Sequence, residues 1–185
     1  LGADMMGTHR FLISENNMNK IFADKEYLYS RFFSIELNDI EKISELSAII
    51  ISGAIIDDSI KITTENSSIA RRIFNILKDT YQINPIITMR KGFNYQKKYL
   101  YIIQIKEKKD KILDDLGLLR NGEILKHPKD FIVDDEEATR SYLRGIFLMA
   151  GSINDPKTSR YHLEFIVDND ILGNFIIELL NKFYL

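Results

Sequence analysis

The chain has no cysteine in its 185 residues, which excludes a disulfide framework, a thiolate metal site and a cysteine nucleophile. That absence fits a cytoplasmic protein. Long hydrophobic runs are also missing. The longest, Leu46 to Ile56, is broken by Ser47, Ser52 and Gly53 and falls short of the roughly 18 residues a membrane span needs, so no membrane partner is expected. The first ten residues, Leu1 to Arg10, lack both an initiating Met and the basic, apolar, small-residue order of a signal peptide. They read as an uninformative edge, within an N-terminal leader taken as residues 1–22. There is no phosphate-cradling loop and no Cys/His cluster, and His9 and His127 have nothing at ligand spacing beside them. No cofactor and no metal site are expected.

What is present is a globular composition. With 45% apolar residues, a chain of this length buries roughly 70% of its unfolded surface, enough for one large domain or two half-domains sharing a core. The net charge of -2 conceals an uneven spread. Between Thr88 and Lys111 lie Arg90, Lys91, Lys97, Lys98, Lys106, Lys108, Lys109 and Lys111 against Glu107 and Asp110, eight minus two or +6, so the remainder sums to -8. A surface facing a polyanion shows this asymmetry, and so does a solvated hairpin.

Periodicity gives an α+β order of helix, two strands, helix, two strands, helix. Ser44 to Ser52 reads as a helix, Ala54–Ile56 and Ile60–Thr64 as a hairpin, and Ile69, Ile73, Ile76 and Leu77 mark the buried face of a second helix capped by Asn66 or Ser67. Two strands, Ile86–Lys91 and Lys98–Ile105, and a short helix from Lys109 follow. The order then restarts with a helix from Glu136 to Ala150, a hairpin from Ser152 to Val167 and a helix capped by Asp168. Gly53-Ala-Ile55 lies 98 residues before Gly151-Ser-Ile153, and Ile73, Phe74, Leu77 and Tyr81 lie 102 before Phe175, Ile176, Leu179 and Phe183. A repeat that long suggests two half-domains about a pseudo-two-fold axis. Ala48 and Gly145 occupy matching places and would let two helices approach closely, with Ser52 and Ala150 beside them. The second copy is truncated, because nothing after Leu185 supplies the later strands, and its sheet edge is expected to be open.

The stretch Leu143-Arg-Gly-Ile-Phe-Leu-Met-Ala-Gly151 resembles the nine-residue helix of the LAGLIDADG homing endonucleases. Ser141-Tyr-Leu-Arg-Gly145, Gly151-Ser-Ile-Asn-Asp-Pro156 and Tyr161-His-Leu-Glu164 are similar, in that order, to the WhiA family of bacterial regulators of sporulation and cell division. The resemblance implies a degenerate LAGLIDADG domain: a first half at 23–118, a linker at 119–137 and an incomplete second half at 138–185. In complete members a helix-turn-helix follows, and this chain ends before one. The implied role is non-catalytic DNA binding in transcription regulation, linked to sporulation, cell division or chromosome segregation and placed with the nucleoid.

In the endonucleases the eighth motif position is a metal-binding acid. Here it is Ala150, which offers a hard cation no oxygen. In the first motif it is Gly53 if Leu46 is the anchor, or Ser52 if Gly53 is the ninth residue. Asp57, Asp58 and Asp155 lie about four residues beyond the helix ends, on the order of 10 Å away, and read as turn formers. His162 beside Glu164 reads as structural. A two-stranded ribbon fits the major groove of double-stranded DNA. Thr88 and Arg90 share one face of their strand, and Ile87, Met89 and Lys91 share the other. The expected DNA contacts are Arg90, Lys91, Lys97, Lys98 and Lys106, with Arg160 from the second hairpin. Arg144 ranks lower because an arginine on the motif helix has an acid as its alternative partner. Two other readings compete: an active homing endonuclease, and a protein-interaction module whose DNA contact belongs to the absent helix-turn-helix.

Overall fold

Asn38 opens the first long helix with a reciprocal cap. Its Oδ1 accepts the Glu41 N–H at 2.9 Å while Glu41 Oε2 accepts the Asn38 N–H at 2.7 Å, so the helix starts five residues before the apolar run at Ser44. The computed structural model describes residues 2–3, 9–13, 32–91, 99–153 and 163–183. Strands β1 (Gly2–Ala3) and β2 (His9–Ile13) come first. Helix α1 (Asp39–Gly53), hairpin β3 (Ala54–Ile56) and β4 (Ile60–Thr64), and helix α2 (Ser67–Tyr81) follow. Strands β5 (Ile86–Lys91) and β6 (Tyr99–Ile105) and helix α3 (Lys109–Asp115) complete the first half. The connection holds β7 (Leu119–Arg120), β8 (Glu123–Ile124) and a 3-10 turn at Asp130–Val133. Its hairpin turns through Asn121 and Gly122, both at positive φ, the turn such a dipeptide favours. The second half has α4 (Glu136–Ala150), β9 (Gly151–Ile153), β10 (Leu163–Val167) and α5 (Asp170–Asn181).

The repeat shows most clearly in the burial of the second helices once its register is corrected. Caps Asn38 and Asp135 are 97 residues apart, as are the helix ends Gly53 and Ala150. Caps Asn66 and Asn169 are 103 apart. At that spacing Ile69, Ala70, Ile73, Ile76 and Leu77 superpose on Leu172, Gly173, Ile176, Leu179 and Leu180, all buried. The sequence spacings of 98 and 102 were each one residue off. Similar side chains align in several registers, and the cap hydrogen bonds decide among them. Asn169, not Asp168, caps α5, accepting the Leu172 N–H at 2.8 Å.

Each half places its helices on one face of a four-stranded antiparallel sheet. The first sheet runs β3–β4–β6–β5 and the second β9–β10–β2–β1. The open edge expected at β10 is therefore covered. Strand β2 pairs along it from Leu163 opposite Ile13 to Val167 opposite His9, in the place β6 takes beside β4. Residues 9–13, taken above as leader, thus complete the second half from the other end of the chain. The unpaired N–H and C=O groups of β10 supply the drive. Removing residues 1–13 is expected to cost about 1–2 kcal/mol through lost ladder hydrogen bonds, seen as a lower urea midpoint; an unchanged midpoint contradicts the pairing.

Two apolar clusters fill the halves, and the paired helices exchange members. Ala48 of α1 lies in the second cluster and Leu148 of α4 in the first. Ser44 Oγ donates to the Ile132 carbonyl at 2.7 Å and Ser47 Oγ to the Leu116 carbonyl at 2.8 Å. These bonds fasten the connecting segment to α1.

Candidate functional site

Among the described elements helices α1 and α4 pack most extensively against each other, and glycine sets their closeness. A Cβ added at Gly145 would lie 2.5 Å from the Glu45 carbonyl oxygen and 2.7 Å from the Ala48 Cβ. Both helices end on a residue without a polar side chain, Gly53 and Ala150. The next residues, Ala54 and Gly151, turn into extended backbone while returning their N–H groups to Ile50 and Phe147. The 97-residue register makes Leu46 the counterpart of Leu143, so the eighth motif position in the first half is Gly53. Ser52 is the seventh, and its hydroxyl donates to the Ala48 carbonyl of its own helix at 2.6 Å.

Neither helix end offers an oxygen ligand from its eighth side chain. Among the described residues no three His, Asp or Glu side chains gather as a metal would require. Asp57 is already engaged. Lys61 Nζ donates to its Oδ2 at 2.7 Å, and the Ser59 N–H and hydroxyl donate to Oδ1. The Lys61 hydrogen bond, helped by Ser59, holds its pKa down to about 2. A depressed carboxylate of this kind stabilises the turn above pH 3.8 and loses its effect only as pH falls through about 2. Asp58 is exposed beside it, while Asp155 lies outside the described residues. His127 bonds through Nδ1 to the Pro128 carbonyl at 2.9 Å and packs its ring on Phe175. His162 lies outside the described residues.

A buried ionic cluster lies beside the paired helices: the acid expected as an alternative partner for Arg144 is Glu45, while the second arginine, Arg72, was not anticipated. Glu45 is fully buried. Its carboxylate accepts from Arg72 Nε, from Arg72 Nη2 at 3.0 Å and from Arg144 Nε at 2.6 Å. Arg144 Nη2 continues to Ser141 Oγ at 2.8 Å, and Arg72 Nη1 to the Phe32 carbonyl at 2.9 Å. One acid thus joins α1 and α2 of the first half to α4 of the second. The pseudo-two-fold places Tyr142 opposite Glu45 and Phe175 opposite Arg72. That pair meets edge to face, with centroids 5.7 Å apart, and burial pushes the Tyr142 phenol above its usual range. The same junction is ionic in one half and aromatic in the other. The readable signal was a single acid inside the apolar run of α1, matched by an arginine on the partner motif.

The outer face of the first sheet, away from the helices, follows from the register. Buried Ile60 and Ile62 oppose Ile105 and Ile103, so Lys61, Thr63, Ile102 and Gln104 point outward. On β5 the outward residues are Ile86, Thr88 and Arg90, opposite Gln104, Ile102 and Leu100. Lys91 opposes Tyr99 on the other face. Lys106 follows the opposite end of β6, about 23 Å from Tyr99 at some 3.3 Å per residue. The expected DNA contacts are therefore not one patch: Arg90 lies on the outer face, Lys91 beneath it and Lys106 at the far end. Lys97, Lys98 and Arg160 lie outside the described residues. The exposed apolar residues of the outer face sit on its edge strands, Ile55 of β3 at 68% and Ile86 of β5 at 52% exposed, and flank Lys61 and Gln104 between them. The second sheet turns Glu164 and Ile166 to its corresponding face.

Two half-domains of helix, hairpin and helix, joined through small residues on paired helices and backed by antiparallel sheets, are of the LAGLIDADG type. Residues 39–119 match the family described as the WhiA N-terminal LAGLIDADG-like domain, and residues 139–185 match the WhiA LAGLIDADG-like domain. A probable cell division protein WhiA of Staphylococcus aureus is 38% identical over 157 residues, covering 82% of this chain and 50% of the relative. The chain belongs to the WhiA family and spans about half the length of the curated relatives it matches. Its fold is similar to the crystal structure of the N-terminal LAGLIDADG domain of DUF199/WhiA, with a TM-score of 0.63 at 21% identity over 89% of this chain and 76% of that one. A variant of the homing endonuclease I-DmoI with its target DNA and manganese matches with a TM-score of 0.50 at 14% identity, covering 78% of this chain and 77% of the enzyme.

Proposed function

We propose that this chain is a non-catalytic, DNA-engaging regulatory domain acting in cell division, with sporulation, chromosome segregation and transcription regulation as the processes it serves. The observation that carries the non-catalytic part is the pair Gly53 and Ala150 at the two helix ends, where a nuclease of this fold needs acids to hold a cation and activate water. DNA engagement is supported by the fold shared with an endonuclease whose structure holds DNA, and by Arg90, Lys91 and Lys106, all exposed. The cell-division role is supported by the name of the Staphylococcus aureus relative. A cytoplasmic, nucleoid-associated location goes with this reading, and no described helix is long and apolar enough to cross a membrane.

The scattered cations predict phosphate contacts that position the protein without reading bases. With Lys97, Lys98 and Arg160 contributing, about four to six phosphates are neutralised and log affinity falls with log salt at a slope near -4 to -5. Arg90→Glu weakens binding on all sequences and flattens the slope by about one. Fluorescence anisotropy with a labelled duplex across a salt series checks both. No binding at low salt would favour the second reading, a protein-interaction module, to which exposed Ile55 and Ile86 on the edge strands also point.

A further inference from the structure

The four end strands of the two four-stranded sheets are unequal. β1 has two residues, β3 and β9 have three, and β5 has six. Shortness blunts the first three against pairing with other chains. β5 is not blunted. All six of its residues are exposed, with Ile86 outward and Ile87 and Met89 on the other face, at 52%, 42% and 58%. Its outer edge carries main-chain donors and acceptors with no described strand beside them. The strand ends in Arg90 and Lys91, one on each face, and neither side chain has an ion pair or hydrogen bond among the described residues.

We propose that the β5 edge binds an extended peptide segment of another protein by strand addition, and that the segment carries acids opposite Arg90 and Lys91 and apolar residues opposite Met89, Ile87 and Ile86. Main-chain ladder bonds give such a complex its affinity, and alternate side chains give it specificity. The charges decide the occupant. Opposite charges across a strand pair attract and like charges repel, so two cations at one end select acids there. A second copy of this chain is a poor fit, because β5 contains no acid. In antiparallel self-pairing Arg90 and Lys91 meet Ile87 and Ile86 in one register and each other in another, and neither is ever neutralised.

The test uses the 185-residue chain and a labelled, end-capped peptide whose central residues read Glu-Glu-Val-Thr-Val-Val, antiparallel to β5, with a Gln-Gln version as control. Two cross-strand ion pairs make the acidic peptide bind roughly two- to thirtyfold more tightly than the control. The doubly changed chain, Arg90→Glu with Lys91→Glu, reverses the preference toward a Lys-Lys peptide. Hydrogen exchange slows in β5 amides when the acidic peptide binds. Equal affinity for the acidic and neutral peptides overturns the proposal, as does no binding of either. Sedimentation showing a dimer that the double charge change alters points to self-pairing and overturns it too. Slowed exchange in β5 with duplex DNA but not with peptide assigns the edge to nucleic acid instead.

Discussion

Glu45→Ala is expected to lower stability by about 3–5 kcal/mol, the largest loss from a single change in this molecule, because it leaves Arg72 and Arg144 buried without a counter-charge. The carboxylate holds both guanidinium groups in the part of the core where α1, α2 and α4 meet. Removing it costs the desolvation of two cations as well as three charge-assisted hydrogen bonds. Urea unfolding should show a much lower midpoint with little change in slope. The aromatic counterpart supplies a control. The triple change Glu45→Tyr, Arg72→Phe and Arg144→Ser copies the uncharged arrangement across the pseudo-two-fold. It should lose less than Glu45→Ala alone, since replacing a whole buried ion cluster by packed apolar groups is often neutral or better. A loss below about 1 kcal/mol for Glu45→Ala would mean that water reaches the arginines and the cluster does not fasten the halves.

Gly145→Leu should cost about 3 kcal/mol, at the upper end of what overpacking typically costs. On helix propensity alone the change is favourable, because glycine is about 1 kcal/mol worse than alanine in a helix interior. Sterics decide against it. The first carbon added at position 145 would sit 2.5 Å from a backbone oxygen of the partner helix, and a carbonyl cannot rotate aside as a side chain can. Ala48→Gly removes the neighbouring methyl group but not that oxygen, so the double variant recovers only part of the loss. Thermal and urea unfolding of the three variants check this. A stabilised Gly145→Leu would show that the two helices stand further apart.

Local chemistry was legible in the residues. The helix and hairpin order, the Asn66 cap and the Asn121-Gly122 turn all follow from short-range rules, and the structure has them. The motif helix was also readable, since Leu143 to Gly151 keeps the small and apolar positions a close helix pair needs even where the acid has gone. The cap at Asn38 was readable as well, from Glu41 three residues on, and was passed over for the apolar run behind it. What periodicity does not carry is distance along the chain. β2 lies some 150 residues before β10, and no pattern within either strand names the other. Glu45, Arg72 and Arg144 come from three helices, and only the register of the pseudo-two-fold brings them together. The charge count from Thr88 to Lys111 was correct as a count, yet a strand alternates its faces and has two ends. Arg90, Lys91 and Lys106 are therefore separated in space.

The central claim is that the paired helix ends carry no cation-holding acid. Incubating the purified chain with supercoiled plasmid in Mg2+ and then in Mn2+, with and without chelator, tests it most directly. The expected result is plasmid that stays supercoiled in every tube, with any DNA binding unaffected by the chelator. Nicked or linear product that needs the metal and disappears with chelator would contradict it.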